Sequence, residues 1–184
     1  LRAISQTVDV SRLAPDVLLA LGESLFAYID ELSAASAQGY ALEQSERAGE
    51  HHRRRGELLE MILRGDAEVG VTRAATALGW TLPEVVVVAT VPPSRVDGLR
   101  GALGPDALVA ERGTEVAVIM PFGNRAARMR ELNRALRGRQ AVIGPERTWQ
   151  QAGESLHLAV SAGAHGLGGG SSDEGDLPVW VEDH

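Results

Sequence analysis

The run EVVVVATV at Glu84–Val91 constrains this chain more than any other stretch. Its β-branched residues follow one another without polar alternation, the pattern of a central strand covered on both faces. A chain built around such a strand is a layered α and β structure. Its 184 residues, 44% of them hydrophobic, suffice for one cored domain and an appendage.

The elements around that strand fall into a recognisable order. Ser94–Leu103 reads as a helix with Ser94 as its N-cap, closed by Gly104-Pro105. ALVAERGTEVAVIMP at Ala107–Pro121 is two apolar alternations meeting at Arg112-Gly113-Thr114, so it reads as a β-hairpin with glycine where a positive φ is cheap. Asn124–Leu136 is a basic amphipathic helix capped by Asn124 and ending at Gly138, and Gln140–Ile143 is a strand closed by Gly144-Pro145. Thr148–Ala164 is a helix capped by Thr148, with Ala152, Ser155 and Ala159 on one face for close packing, and Leu177–Val181 is a last strand. The first six elements have the split-βαβ order, which predicts an α+β fold: a ferredoxin-like βαββαβ followed by an extra α-β.

The N-terminal part is helical. Pro15 and Asp16 suit a first turn, and Leu18, Leu21, Leu25, Ile29 and Leu32 recur at helical spacing. The stripe thins through Ser36 and Gly39, resumes at Leu58–Leu63, and ends at Gly65-Asp66. Either one or two ordinary helices pack on the domain, or a long helix serves as a dimer seam or signalling stalk. The length of the stripe favours the second. Gly39, Gly49 and Gly56 each cost about 1 kcal/mol relative to alanine, so continuity is left open. A short helix over Val69–Leu78 follows, capped by Gly79. The expected division is a helical region at 1–66 and an α/β domain at 67–184.

Composition excludes several functions. A net charge of -7 gives no overall bias toward nucleic acid, and 4% aromatic content argues against a stacking platform for single strands. The absence of cysteine removes disulfides and zinc–thiolate sites. The longest apolar run, around Val85–Val91, is too short to cross a bilayer. The chain opens Leu1-Arg2 without a signal-peptide pattern and stops just after a strand-like run, so a piece of a longer cytoplasmic protein is expected.

Local motifs give little chemistry. The segment Gly166–Gly170 with Ser171–Asp176 lacks the Lys-Ser/Thr ending of a phosphate loop and the spacing of an EF-hand, and reads as a linker. His51 and His52 are adjacent, hence about 100° apart on a helix and not the i,i+4 pair that zinc uses; His157 and His165 have no carboxylate partner in sequence. Arg53-Arg54-Arg55 reads as a solvated helix face. Gly22-Glu23-Ser24 and Gly153-Glu154-Ser155 lack the second glycine of a nucleophile elbow. Arg125, Arg128, Arg130, Arg134 and Arg137 spread over more than one helix face, without a helix-turn-helix pair, and read as surface charge.

The hairpin resembles the signature turn of GGDEF nucleotide cyclases, with changes. Arg112 stands for the first Gly, Gly113 keeps the second, Thr114 replaces the Asp, Glu115 remains and Val116 replaces the Phe. By that resemblance a working enzyme needs carboxylates at the end of the first strand and at the hairpin to hold metal ions on a triphosphate. Here the strand end is Ala89-Thr90-Val91-Pro92-Pro93, with Asp97 only in the helix after it, and Glu115 stands alone at the turn. The site is expected to be catalytically dead, with Glu115 pairing locally with Arg112, so no catalytic residue, metal or cofactor is assigned.

A broader resemblance covers nearly the whole chain. FAYIDELS (Phe26–Ser33) with Tyr40, RRRGELLEMILRGD (Arg53–Asp66), AATALGW (Ala74–Trp80), and AVIGP (Ala141–Pro145) before a helix with Ala152, Ser155, Leu156 and Ala159 look like the PucR/CdaR group of bacterial transcriptional regulators. The resemblance implies a degenerate GGDEF-like domain in the regulatory part of a DNA-binding protein, non-catalytic and homodimeric. DNA contact would come from a C-terminal helix-turn-helix lying beyond this chain, and a small-molecule effector is left unnamed. The alternative is a GGDEF-type enzyme that binds or converts nucleotides.

Overall fold

The structure, a computed structural model, describes residues 15–164 and 177–182. The chain divides into two compact units at Gly49/Glu50. Helix α1 (Pro15–Arg64) crosses that division, and Gly22, Gly39, Gly49 and Gly56 all fall within its bounds, so no break occurs at the glycines. In the first unit its large apolar side chains are exposed, among them Leu21, Leu25, Phe26, Ile29, Leu32 and Leu42.

The second unit is the α+β domain. It contains the last turns of α1, α2 (Glu68–Ala77), β1 (Val85–Val91), a 3-10 turn (Pro93–Arg95), α3 (Leu99–Leu103), β2 (Leu108–Arg112) and β3 (Glu115–Pro121). Then come α4 (Arg125–Ala135), β4 (Val142–Ile143), β5 (Arg147–Thr148), a 3-10 turn (Trp149–Gln151), α5 (Ala152–Ala164) and β6 (Val179–Trp180). The sheet order is β2-β3-β1-β4-β6, with β5 also paired to β1. Its first four strands have the ferredoxin-like order, and β6 adds a strand parallel to β4.

The β-branched run lies at the centre, as its composition predicts. Val86 and Val88 point into one core with Leu58, Leu59 and Ile62 of α1, Val71 of α2, Trp149, and Ala152 and Leu156 of α5. Val87, Ala89 and Val91 point into the other with Leu99, Leu103, Leu132 and Leu136 of α3 and α4. The period of two along β1 therefore sorts successive residues into two cores, one on each face of the sheet.

Local expectations were met unevenly. Asn124 caps α4, its Oδ1 accepting from Ala127 N at 3.2 Å. The helix expected over Ser94–Leu103 is instead a 3-10 turn and a five-residue helix. Gly98 separates them in the left-handed region (φ 68°), so Ser94 caps nothing and Asp97 lies in the connection. Thr148 precedes a 3-10 turn without a side-chain capping bond; its hydroxyl meets Gln151 Oε1 at 3.3 Å. The strands expected at Gln140–Ile143 and Leu177–Val181 shorten to two residues each. Gly166–Asp176 and His165 lie outside the described residues.

Candidate functional site

The GGDEF-like turn is built by strand pairing. Arg112 and Glu115 face each other in register, leaving Gly113-Thr114 as a two-residue loop. Gly113 supplies the positive φ (60°) at the first loop position, which a twisted hairpin of this length needs. Alternation then places Ala110, Arg112, Glu115 and Ala117 on the sheet face that carries Val86, Val88 and Thr90 of β1, while Glu111 and Val116 belong to the other face. Ala89 packs in the opposite core. Of the strand-end residues read as lost metal ligands, only Thr90 therefore stands on the side of Glu115.

That side opens into a cavity of about 530 Å³, lined by Thr90, Thr114, Glu115, Ala117, Glu60 of α1, and Leu156 and Val160 of α5 among others. Arg112 is ion-paired, but not with Glu115 as expected. Its Nε lies 2.9 Å from Glu60 Oε1. Glu60 comes from a helix about fifty residues earlier, and local spacing carries no signal of the contact. The Glu115 side chain has no ion-pair or hydrogen-bond partner among the described residues. No group of three or more His, Cys, Asp or Glu among the described residues could hold a metal ion. The cavity thus combines an arginine neutralised by Glu60, the carboxylates of Glu111 and Glu115, hydroxyls and an aliphatic wall.

The other charged candidates resolve into structural contacts. Arg53 and Arg54 both pair with Glu50 (2.9 and 2.7 Å), and Arg53 also reaches Glu57. Those arginines hold the Glu50 carboxyl at about 2, well below its ordinary value. Arg55 is no part of a solvated face: its Nη2 donates to the carbonyls of Pro105 (2.5 Å) and Ala107 (2.9 Å), and burial pushes the guanidinium pKa down. On α4, Arg125 pairs with Glu146 (3.1 Å) and Arg128 with Glu131 (2.8 Å). His51, His52 and His157 are exposed. Among the described residues no helix is long and apolar enough to cross a membrane.

Comparison with known proteins begins at the N-terminus. Residues 1–63 match the model of the PucR-like N-terminal domain. The N-terminal third of the chain is therefore similar to that domain. The match covers the whole of α1 but its last residue, and it fits the resemblance to PucR/CdaR-type regulators read from the sequence. No curated protein matches the chain. A crystal structure of a regulator of polyketide synthase expression from Bifidobacterium adolescentis aligns at 13% identity and a TM-score of 0.46. The alignment covers 70% of this chain and 55% of that one, so this chain spans about half of that protein's length.

Proposed function

We propose that this chain is the regulatory and dimerisation region of a cytoplasmic DNA-binding transcriptional regulator of the PucR/CdaR type, and that it is not an enzyme. DNA is contacted by a C-terminal helix-turn-helix outside this chain. The apolar stripe of the first unit supports self-association. Leu21, Leu25, Tyr28, Leu32 and Leu42 are between half and two-thirds exposed, and with Ala35 they fall on the a and d positions of a heptad. Water is a costly neighbour for such a stripe, and a second copy of the same helix covers it with matching spacing.

The observation that carries the non-catalytic part is the hairpin. By the resemblance to GGDEF cyclases, Thr90 and Thr114 take the places where acids are expected, and Arg112 is tied to Glu60. Incubation of the chain with GTP or ATP and Mg²⁺ is expected to yield no cyclic or linear dinucleotide, no pyrophosphate, and no saturable nucleotide binding by calorimetry. Release of pyrophosphate above a protein-free control would contradict the assignment and favour the enzyme reading, for which the cavity at the hairpin is the one supporting feature.

A further inference from the structure

The cavity at the hairpin is lined by a hydroxyl that has no protein partner among the described residues. Thr90 is 5% exposed and lies on the central strand, between Ala117 on β3 and Val142 on β4. Its hydroxyl makes no hydrogen bond to any described residue, yet it is not sealed away from the cavity it lines. A strand position buried to this degree ordinarily carries valine, which dominates the rest of β1. A hydroxyl there without a protein partner needs one from whatever fills the cavity.

The charges around it define the partner. Arg112 is neutralised by Glu60 at 2.9 Å, so the guanidinium is engaged and not offered to an anion. Glu115, on the same sheet face as Thr90 and half-buried, has no cationic partner among the described residues. Glu111 adds a second carboxylate to the lining, Thr114 a second hydroxyl, and Ala117, Leu156 and Val160 form the apolar wall. A volume of about 530 Å³ is in the range that small molecules occupy.

We infer that the cavity between the hairpin, α1 and α5 binds a small organic ammonium compound, with its cationic head at the Glu115 carboxylate and the Thr90 hydroxyl and its hydrocarbon body against Ala117, Leu156 and Val160. A carboxylate and a hydroxyl oxygen are both acceptors for an ammonium N–H, and the apolar wall rewards a few methylene groups. A divalent cation is disfavoured, because among the described residues no three His, Cys, Asp or Glu side chains are placed to hold one. An anion is disfavoured by Glu115 itself. The inference rests on the regulatory reading only in making this compound the effector.

The test uses the whole chain, labelled at the leucine and valine methyls, with n-butylamine hydrochloride as the probe and 1-butanol, sodium butyrate and MgCl₂ as comparisons. Butylammonium is expected to shift the Leu156 and Val160 methyl resonances saturably. Glu115→Gln and Thr90→Val should each raise its Kd, the former at least ten-fold, with unchanged thermal transitions. Equal or tighter binding of butyrate or 1-butanol would overturn the inference, as would Mg²⁺ shifting the same methyls or Glu115→Gln binding like the parent. Failure of butylammonium to bind overturns this inference and leaves the regulatory reading intact. Nucleotide turnover would overturn the regulatory reading and leave amine binding to be judged on its own titration.

Discussion

A chain beginning at residue 67 is expected not to fold, whereas residues 50–184 are expected to fold cooperatively. The reason is that the last turns of α1 form a wall of the α/β core. Leu58, Leu59 and Ile62 are fully buried and Leu63 is 9% exposed. They pack with Val86, Val88, Ile119, Trp149 and Leu156 on one face of the sheet. Removing four such side chains forfeits on the order of 10 kcal/mol of burial, comparable to the whole stability of a domain, about 5–15 kcal/mol. Polar contacts go with them: Arg55 no longer holds the carbonyls of Pro105 and Ala107, and Glu60 no longer neutralises Arg112. Far-UV circular dichroism and the dispersion of amide resonances distinguish the outcomes. A folded 67–184 fragment with a cooperative thermal transition would contradict the assignment of α1 to that core.

The second large effect is Gly144→Ala. Gly144 joins β4 to β5, where the chain runs directly beneath α5. A methyl group there would fall inside the envelope of the Ser155 carbonyl oxygen and lie 2.6 Å from Ser155 Oγ. The obstacle is helix backbone, which has no rotamer by which to yield. Ser155 is itself fully buried and bridges two elements: its hydroxyl donates to Pro145 O at 2.8 Å and accepts from Val88 N at 3.3 Å. Displacing α5 therefore breaks a polar link between the helix, the β4–β5 connection and the central strand. The substitution should destabilise the domain by about 3 kcal/mol and lower its Tm by on the order of 10 °C. Gly101→Ala is the control, since nothing lies within 4 Å of its added methyl and the residue is in helix α3. It should leave Tm unchanged or slightly raised. Equal Tm values for the two variants would show that the close approach at Gly144 is not a constraint.

The features legible in the sequence are those set by short-range chemistry. The unbroken β-branched run identified β1 as central because burial on both faces abolishes alternation. Gly113 between two alternating segments located the hairpin turn, and Asn124 located the start of α4. Where two local signals compete, reading the chain fails. Ser94 and Leu103 frame a helix by composition, but Gly98 adopts a left-handed conformation and splits it. Gly39, Gly49 and Gly56 read as possible breaks, yet the helix continues through all three. The site was half visible. Thr90, Thr114 and Glu115 could be named from the strand and turn, because a strand's register fixes its faces. Glu60, Leu156 and Val160 could not, because tertiary packing alone brings them to the hairpin. Arg112 shows the limit most clearly. Its sequence neighbour Glu115 is the obvious partner, and the helix above the sheet supplies a different one.

The central claim is that two copies of this chain associate through the apolar stripe of α1 and relay a signal without chemistry of their own. Sedimentation equilibrium on the full 184-residue chain, alongside a Leu25→Lys/Leu32→Lys variant, tests it most directly. The account predicts a dimer at low micromolar concentration for the parent and at least a hundred-fold weaker association for the variant, because two buried lysines per helix must be desolvated at the seam. A parent chain that stays monomeric at hundreds of micromolar, or a variant that dimerises as tightly as the parent, would contradict it.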